Sequence, residues 1–280
     1  MATVGEIIRT HANGTCSTAL VKNLSLQVID EMNLLIPNVL VSFDDLDVSG
    51  DEATVNFFLQ PKAKEALRRA IKRRGKTLRL NSAYRTVVQQ HILFNWQGSC
   101  GISIAAQPGR SNHEDGLALD TPDWEEWIPA LEAEGWVNFG PPDEVHFTFM
   151  GGGVREDIGD IGVKAFQILW SKNNPDDWID PLIWPDGLYG PQTAARLDRS
   201  PANGFSIARL LKLVTPPIKG EDVRKVQQAL VKEGVLEAEQ VNGVYNEATK
   251  LAVEIFQKRE GLGIDGKVGP QTRRALKIAA

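Results

Sequence analysis

Two short stretches of this chain hold residue types able to bind a metal ion and move a proton. One runs Ser111-Asn112-His113-Glu114-Asp115-Gly116-Leu117-Ala118-Leu119-Asp120; the other is Asp143-Glu144-Val145-His146-Phe147. Two imidazoles and a carboxylate, here His113, His146 and Asp120, form a set that holds Zn²⁺ and leaves a fourth position for water. Zinc lowers the pKa of such a water to about 7. A second carboxylate must still take the proton and pass it to a leaving amine, and Asp143 and Glu144 both stand close in sequence. Gly116 and Ala118 are small enough to let the chain pass close behind such an ion. The competing reading is structural, since a lone histidine more often packs or hydrogen-bonds than ligates. The chain has four histidines and two fall in these stretches; His11 and His91 are read as structural or surface residues.

These groups need a scaffold, and the hydrophobic pattern supplies one. Leu20, Val21, Leu24, Val28, Ile29 and Met32 recur at helical spacing over 17–36. Val39–Phe43 and Ala53–Leu59 read as strands separated by Asp-rich turns. Pro61 opens a helix over Lys62–Arg74 that Gly75 ends. Leu78–Tyr84 reads as a strand, Val87–Trp96 as a helix and Ser99–Asn112 as a loop. Ala118–Asp120 reads as a short strand, Trp124–Glu134 as a helix and Val145–Met150 as a last strand, closed by Gly151-Gly152-Gly153. Helices mixed with non-alternating strands predict an α+β domain over 1–155.

Beyond that point the chain repeats itself. Val-x-x-(Phe/Val)-Gln occurs at Val163–Gln167, Val223–Gln227 and Val253–Gln257. A second pattern, (Asp/Asn)-Gly-x-(Tyr/Val)-(Gly/Asn)-x-x-Thr, follows each time, at Asp186–Thr193, Asn242–Thr249 and Asp265–Thr272. Each copy predicts a helix with an apolar face, a tight glycine turn and a threonine able to cap the next helix. Pro216-Pro217 marks a linker, so the expected division is 1–155, a partial repeat with linker at 156–215, and a compact three-helix module at 216–280. Phe166, Phe256 and the repeat valines are read as core. Tyr189 and Tyr245 could stack on a sugar, but packing is the favoured reading.

The bulk properties exclude some classes. A net charge of −5 argues against nucleic-acid binding. Residues 219–280 carry 11 Lys/Arg against 9 Asp/Glu, a small positive balance. No apolar run approaches the roughly 18 residues of a membrane helix, and the start lacks the pattern of a signal peptide. Cys16 and Cys100 could pair in an oxidising compartment, which the sequence leaves open.

Ser111-x-His113-x-x-Gly116-x-Ala118-x-Asp120 followed by Asp143-x-x-His146 resembles the signature of the zinc D-Ala-D-Ala carboxypeptidase family. That family includes the vancomycin-resistance carboxypeptidases and the L-Ala-D-Glu endopeptidases of phage lysins. Ser82-Ala83-Tyr84-Arg85-Thr86 and Gln90 resemble its Ser-Gly-Tyr-Arg-Ser segment, and the repeats resemble three-helix peptidoglycan-binding modules. The resemblance implies an α+β zinc-peptidase domain of hedgehog/DD-peptidase type followed by an all-α module, with bacterial peptidoglycan as partner and action in the cell envelope or outside the cell.

Carried over residue by residue, it implies zinc on His113, Asp120 and His146, and catalytic roles for Asp143 as base and for Arg85. Ser111, Arg85, Gln90 and Tyr84 become substrate-binding candidates, though Tyr84, Trp124 and Trp127 also read as core or cleft wall. Many relatives have Glu where this chain has Asp143, which keeps Glu144 as the alternative base. In an ideal strand Glu144 would share the face of His146, so Asp143 needs a turn before Val145. Pro141-Pro142 makes such irregular backbone plausible. The implied activity is hydrolysis next to a D-amino acid in stem peptides, with D-alanyl-D-alanine carboxypeptidase preferred. The alternatives are a stem endopeptidase and a non-catalytic zinc- or wall-binding protein.

Overall fold

A computed structural model describes residues 2–10, 16–174, 184–205 and 210–278. His11 lies outside them. The chain divides into two compact units, Met1–Phe205 and Ser206–Ala280.

In the first unit the order is α1 (Val4–Thr10), α2 (Lys22–Leu35), β1 (Val41–Ser42), β2 (Val48–Gly50), β3 (Phe58–Leu59), α3 (Pro61–Arg74) and β4 (Leu78–Leu80). Then come α4 (Val87–Asn95), β5 (Ala118–Asp120), α5 (Trp124–Glu132), β6 (Trp136–Asn138), β7 (His146–Phe149), α6 (Ile158–Asn173) and α7 (Pro191–Arg199). α3 begins with Pro61 at its first position, where the missing N–H costs nothing. It ends at Gly75, whose φ of 66° is a left-handed cap that glycine adopts freely. α4 opens on a capping box in which Thr86 and Gln89 satisfy each other's backbone N–H groups.

Two cores organise this unit. The first is helical, built from α1, α2, α4, α6 and α7 side chains such as Val28, Met32, Val88, Ile158, Val163, Phe166 and Leu197. The second packs α3 and α5 against strands through Leu67, Ala70, Leu80, Leu119, Trp127, Trp136 and Phe147. The strands form two pairs, β1–β3 antiparallel and β2–β4 parallel, and a three-stranded antiparallel sheet in the order β5-β7-β6. Cys16 and Cys100 are joined in a disulfide with a Cα–Cα distance of 5.6 Å, settling the pairing that the sequence left open.

The expected segment 156–215 does not stand apart as a partial repeat. α6 buries Ile158, Ile161, Val163, Phe166 and Trp170 in the helical core of the first unit. Its apolar face matches α2 better than water, so residues 156–205 group with the residues before them.

The second unit contains α8 (Glu221–Lys232), α9 (Glu247–Arg259) and α10 (Pro270–Ala275) around its own core of Val223, Val226, Leu230, Tyr245, Val253 and Phe256. Among the described residues no helix is long and apolar enough to cross a membrane.

Each repeat closes on one buried glutamine. Gln167 donates to Asp186 Oδ1, the Leu188 carbonyl and Thr193 Oγ1 at 2.9, 3.2 and 3.2 Å, and accepts from Gly187 N at 3.0 Å. Gln227 does the same with Asn242, Val244, Thr249 and Gly243, and Gln257 with Asp265, Lys267, Thr272 and Gly266. A buried amide with its donors and acceptor all engaged is what makes it tolerable in a core.

Candidate metal centre

Strand pairing brings the three candidate ligands together. β5 and β7 run antiparallel with Asp120 opposite His146, so both side chains leave the same face. An isolated bridge sets Ser82 opposite Asp120 on the other side. His113 comes from the loop before β5, where Arg85 N donates to the His113 carbonyl at 3.1 Å. Behind that loop Gly116 has a φ of 64°, and a Cβ there would lie 2.7 Å from Leu40 Cδ2. Conformation and crowding both require glycine at this position.

His113 Nε2, His146 Nδ1 and Asp120 Oδ1 form a triangle with sides of 3.2, 2.9 and 3.3 Å. A tetrahedral ion with bonds of about 2.0–2.1 Å separates its ligand atoms by roughly 3.3 Å, so the donor set fits such an ion. The tautomers fit as well. His113 Nδ1 lies 2.7 Å from the Ala83 carbonyl, which can only accept, so Nε2 keeps its lone pair for the triangle. His146 turns its other nitrogen, Nε2, to Thr148 Oγ1 at 3.0 Å. Burial, followed by the charge of Arg85, pushes the His113 pKa down and keeps the ring neutral. Burial works against ionisation of Asp120, but the imidazoles of His113 and His146 outweigh it and hold the carboxyl well below its usual range. Two imidazoles facing a carboxylate could hold a metal ion.

Arg85 borders this triangle. Its Nη2 lies 4.0 Å from Asp120 Oδ2 and 3.3 Å from Ser82 Oγ, and Nη1 donates to Gln90 Oε1 at 3.1 Å. Burial lowers its pKa, while Asp120, Glu114 and Asp143 push it back up. The guanidinium therefore stays charged. Its side chain is 21% exposed, which leaves one edge reachable and rules out a solvated surface ion pair.

Two expected substrate-binding side chains face elsewhere. Tyr84 is buried in the helical core and its hydroxyl donates to Met32 Sδ at 3.0 Å, so it packs rather than binds. Gln90 is buried, gripping Arg85 and donating to the Ala106 carbonyl at 2.7 Å, so it orients the arginine. Ser111 is buried and its Oγ lies 3.4 Å from His113 N, the turn-capping position. Trp127 is core and Trp124 packs partly buried beside it.

β7 begins only at His146, and the His146 N–H bonds back to the Asp143 carbonyl at 3.2 Å. The backbone thus turns between Asp143 and His146. Asp143 is exposed, and its carboxylate is among the charges acting on Arg85. Glu144 has its backbone carbonyl tied to Asn138 Nδ2 at 2.6 Å.

Sequence reasoning passed over Glu114. Its buried carboxyl accepts from Gly109 N at 2.9 and 2.8 Å and from Ser111 N at 3.2 Å, which closes the loop ahead of His113. Burial pushes its pKa up to about 8. Asp115 fastens the same loop to α6, accepting from Gly159 N at 3.2 Å. A Cβ on Gly159 would lie 2.5 Å from the Gly109 carbonyl oxygen, so that contact requires glycine. The signal in the sequence was acidic residues inside a glycine-rich loop, which spacing alone does not separate from solvated ones.

A probable N-acetylmuramoyl-L-alanine amidase of Bacillus licheniformis is 31% identical over 106 residues, covering 34% of this chain and 30% of the relative. A second N-acetylmuramoyl-L-alanine amidase of that organism is 31% identical over 109 residues, covering 33% and 30%. The chain thus spans under a third of these relatives' own length. No solved structure gives a significant match. Residues 59–136 match the family model described as D-alanyl-D-alanine carboxypeptidase, a span that holds His113 and Asp120 but ends before Asp143 and His146. Residues 219–276 match the model described as putative peptidoglycan binding domain. The chain therefore carries a segment that matches the D-alanyl-D-alanine carboxypeptidase model, followed in sequence by one that matches the putative peptidoglycan binding domain.

Proposed function

We propose that this protein is a zinc metallopeptidase that hydrolyses peptide bonds next to D-amino acids in peptidoglycan stem peptides, as a D-alanyl-D-alanine carboxypeptidase. The observation that carries the reading is the triangle of His113 Nε2, His146 Nδ1 and Asp120 Oδ1 with Arg85 at its border. A zinc ion held by those three atoms would supply Lewis acidity and make water acidic near neutral pH.

The chain's own residues do the rest. Arg85, steadied by Gln90 and Ser82, receives the substrate's terminal carboxylate, a planar anion that suits a guanidinium fork. Asp143 takes a proton from the attacking water and returns it to the nitrogen of the leaving D-amino acid as the C–N bond breaks. The acyl part keeps the water oxygen as its new carboxylate, and the second water proton makes the leaving amine an ammonium. Glu114 and Ser111 keep the His113 loop in place. The peptidase chemistry belongs to the first unit, residues 219–276 hold the protein on the wall, and its work is in the cell envelope or outside the cell, a reading supported by the peptidoglycan-binding match.

Zinc content and D-alanine release from a defined stem pentapeptide test this together. One zinc per chain is expected. His113→Ala or His146→Ala should lose both zinc and activity. Asp143→Asn should keep zinc and lose about 100-fold or more in turnover, because proton transfer contributes roughly 10²–10⁴ in rate; Glu144→Gln should be mild. Full zinc and full activity in either histidine variant would refute the ligand assignment. A dead Glu144→Gln beside an active Asp143→Asn would reverse the base.

A further inference from the structure

The row of residues across the sheet has a direction. It begins at Ser82, continues through Asp120 and His146, and reaches the end of β6, where Phe139, one residue past the strand, donates its N–H to the His146 carbonyl at 2.9 Å. Residues directly opposite one another in antiparallel strands share a face. Phe139 therefore stands on the face that carries the ligands, and its ring meets the His146 ring edge-on with centroids 5.9 Å apart. The next row pairs Val137 with Thr148, which puts Val137 on that face too. Met150 follows Thr148 by two residues, with its N–H bonded to the Gly135 carbonyl at 2.9 Å, and continues the alternation.

All three side chains are open to solvent, Val137 at 50%, Phe139 at 63% and Met150 at 70%. Isolated exposed apolar residues need no explanation, but a contiguous strip beside a polar centre marks a binding surface. β6 is an edge of the three-stranded sheet, and its neighbours in the row are committed to the ligand triangle. The two ends of the row are chemically opposite. A guanidinium sits at the Ser82 end and an aromatic ring at the β6 end, with the ligand atoms between them.

We propose that Phe139, with Val137 and Met150, forms an apolar shelf for the alkyl side chain of the residue on the acyl side of the scissile bond. This rests on the proposed peptidase reading and deepens it. With the terminal carboxylate held at Arg85, the bond lies over the triangle, and the chain leaving toward its N-terminus crosses β6. The shelf selects a methyl or longer alkyl group there, disfavours a carboxylate, and gains little from glycine. An alkyl group in an apolar site is worth roughly 10-fold or more in specificity.

The test uses the full chain loaded with zinc and three peptides ending in D-alanyl-D-alanine, glycyl-D-alanine or D-aspartyl-D-alanine. Wild type should favour the first over the second by about 10-fold in kcat/KM and reject the third. Phe139→Ala should bring the alanyl-to-glycyl ratio to within about 2-fold, with zinc content unchanged. Because Phe139 is exposed, the variant should fold. Equilibrium binding of the same peptides, N-methylated at the scissile amide, gives a second readout independent of turnover. If wild type cleaves none of them but binds the alanyl peptide better, and Phe139→Ala abolishes that preference, the shelf stands and the carboxypeptidase reading falls. If Phe139→Ala keeps the wild-type ratio in binding, or if wild type binds the alanyl and glycyl peptides equally, the shelf is wrong.

Discussion

The first repeat copy and the last two share one local structure and have different destinations. In every copy a buried glutamine clasps an Asp/Asn-Gly turn and a threonine. In the first copy the tyrosine of the turn, Tyr189, places its hydroxyl 2.7 Å from His91 Nδ1 on α4. In the second the matching Tyr245 is fully buried and donates to the Gly266 carbonyl of the next copy at 2.9 Å. The helices follow the tyrosines: α6 lies in a core with α2 and α4, whereas α8 and α9 make a core of their own. The repeat motif thus specifies a clasp, and the partner of the helix's apolar face decides what the copy becomes part of.

The largest expected effect comes from cutting the chain on either side of the first copy. Residues 1–205 should fold, keep metal and release D-alanine from soluble peptides at a rate within about 2-fold of the full chain. They should sediment less with intact wall, since tethering acts through effective concentration. Residues 1–155 should not fold, because removing Ile158, Val163, Phe166 and Trp170 strips the helical core and also frees the His113 loop from Gly159. Losing even one such side chain costs about 2–5 kcal/mol. A soluble, cooperatively melting 1–155 would show that the first copy is an appendage after all.

A smaller effect separates the clasps. Gln167→Ala and Gln227→Ala should each cost about 2–4 kcal/mol, since each leaves buried partners such as the Gly187 or Gly243 N–H without an acceptor. The loss should be local. Amide exchange should accelerate at Gly187 and through α6 and α7 in the first variant, and at Gly243 and through α8 and α9 in the second. Gln167→Ala should reduce zinc retention more than Gln227→Ala, because Gly159 of α6 donates to Asp115 in the loop that carries His113. Equal effects on zinc from both would undo the distinction.

How much of this could be read from residues alone follows the same line. The grouping of His113, Asp120 and His146 was legible because the two stretches hold the residue types of a metal site in the order of a family they resemble, and the repeats were legible because turn chemistry is local. The helices α2, α3, α4 and α5 matched their patterns to within a few residues at the ends. What failed was direction. Tyr84 and Gln90 belong to a segment next to Arg85, but only the packing of α4 and α2 tells that they turn inward. β2 and β6, Val48–Gly50 and Trp136–Asn138, were not read as strands. The grouping of residues 156–205 with those before them was not legible because a glycine-rich stretch can end a strand without ending a compact unit. The Cys16–Cys100 pairing depends on where a loop after α4 returns, which no local pattern encodes.

The smallest expected effect is a pH dependence confined to the first copy. His91 is buried, with Nδ1 against Tyr189 and Nε2 3.0 Å from Asp198 Oδ1 on α7. Burial pulls its pKa below the ordinary value near 6.5, and Asp198 pulls it back only in part. Tyr189 keeps its proton throughout, its pKa being pushed up to about 12 by burial. The sign follows from proton counting: below about pH 6.5 the unfolded chain binds a proton that the folded chain resists. The contribution of His91 is therefore full above the unfolded value and shrinks as pH falls toward the lower folded one. One proton bounds the slope at about 1.4 kcal/mol per pH unit. His91→Gln keeps a polar group in place without a titrating ring. The melting temperature of residues 1–205 should then fall less between pH 7 and pH 5.5 in the variant than in wild type, while in the full chain exchange in α8 and α9 shows no difference between variant and wild type. Identical pH profiles for both proteins would mean that the His91–Tyr189–Asp198 contact does not hold the first copy in place, and the tyrosine comparison would lose its energetic content.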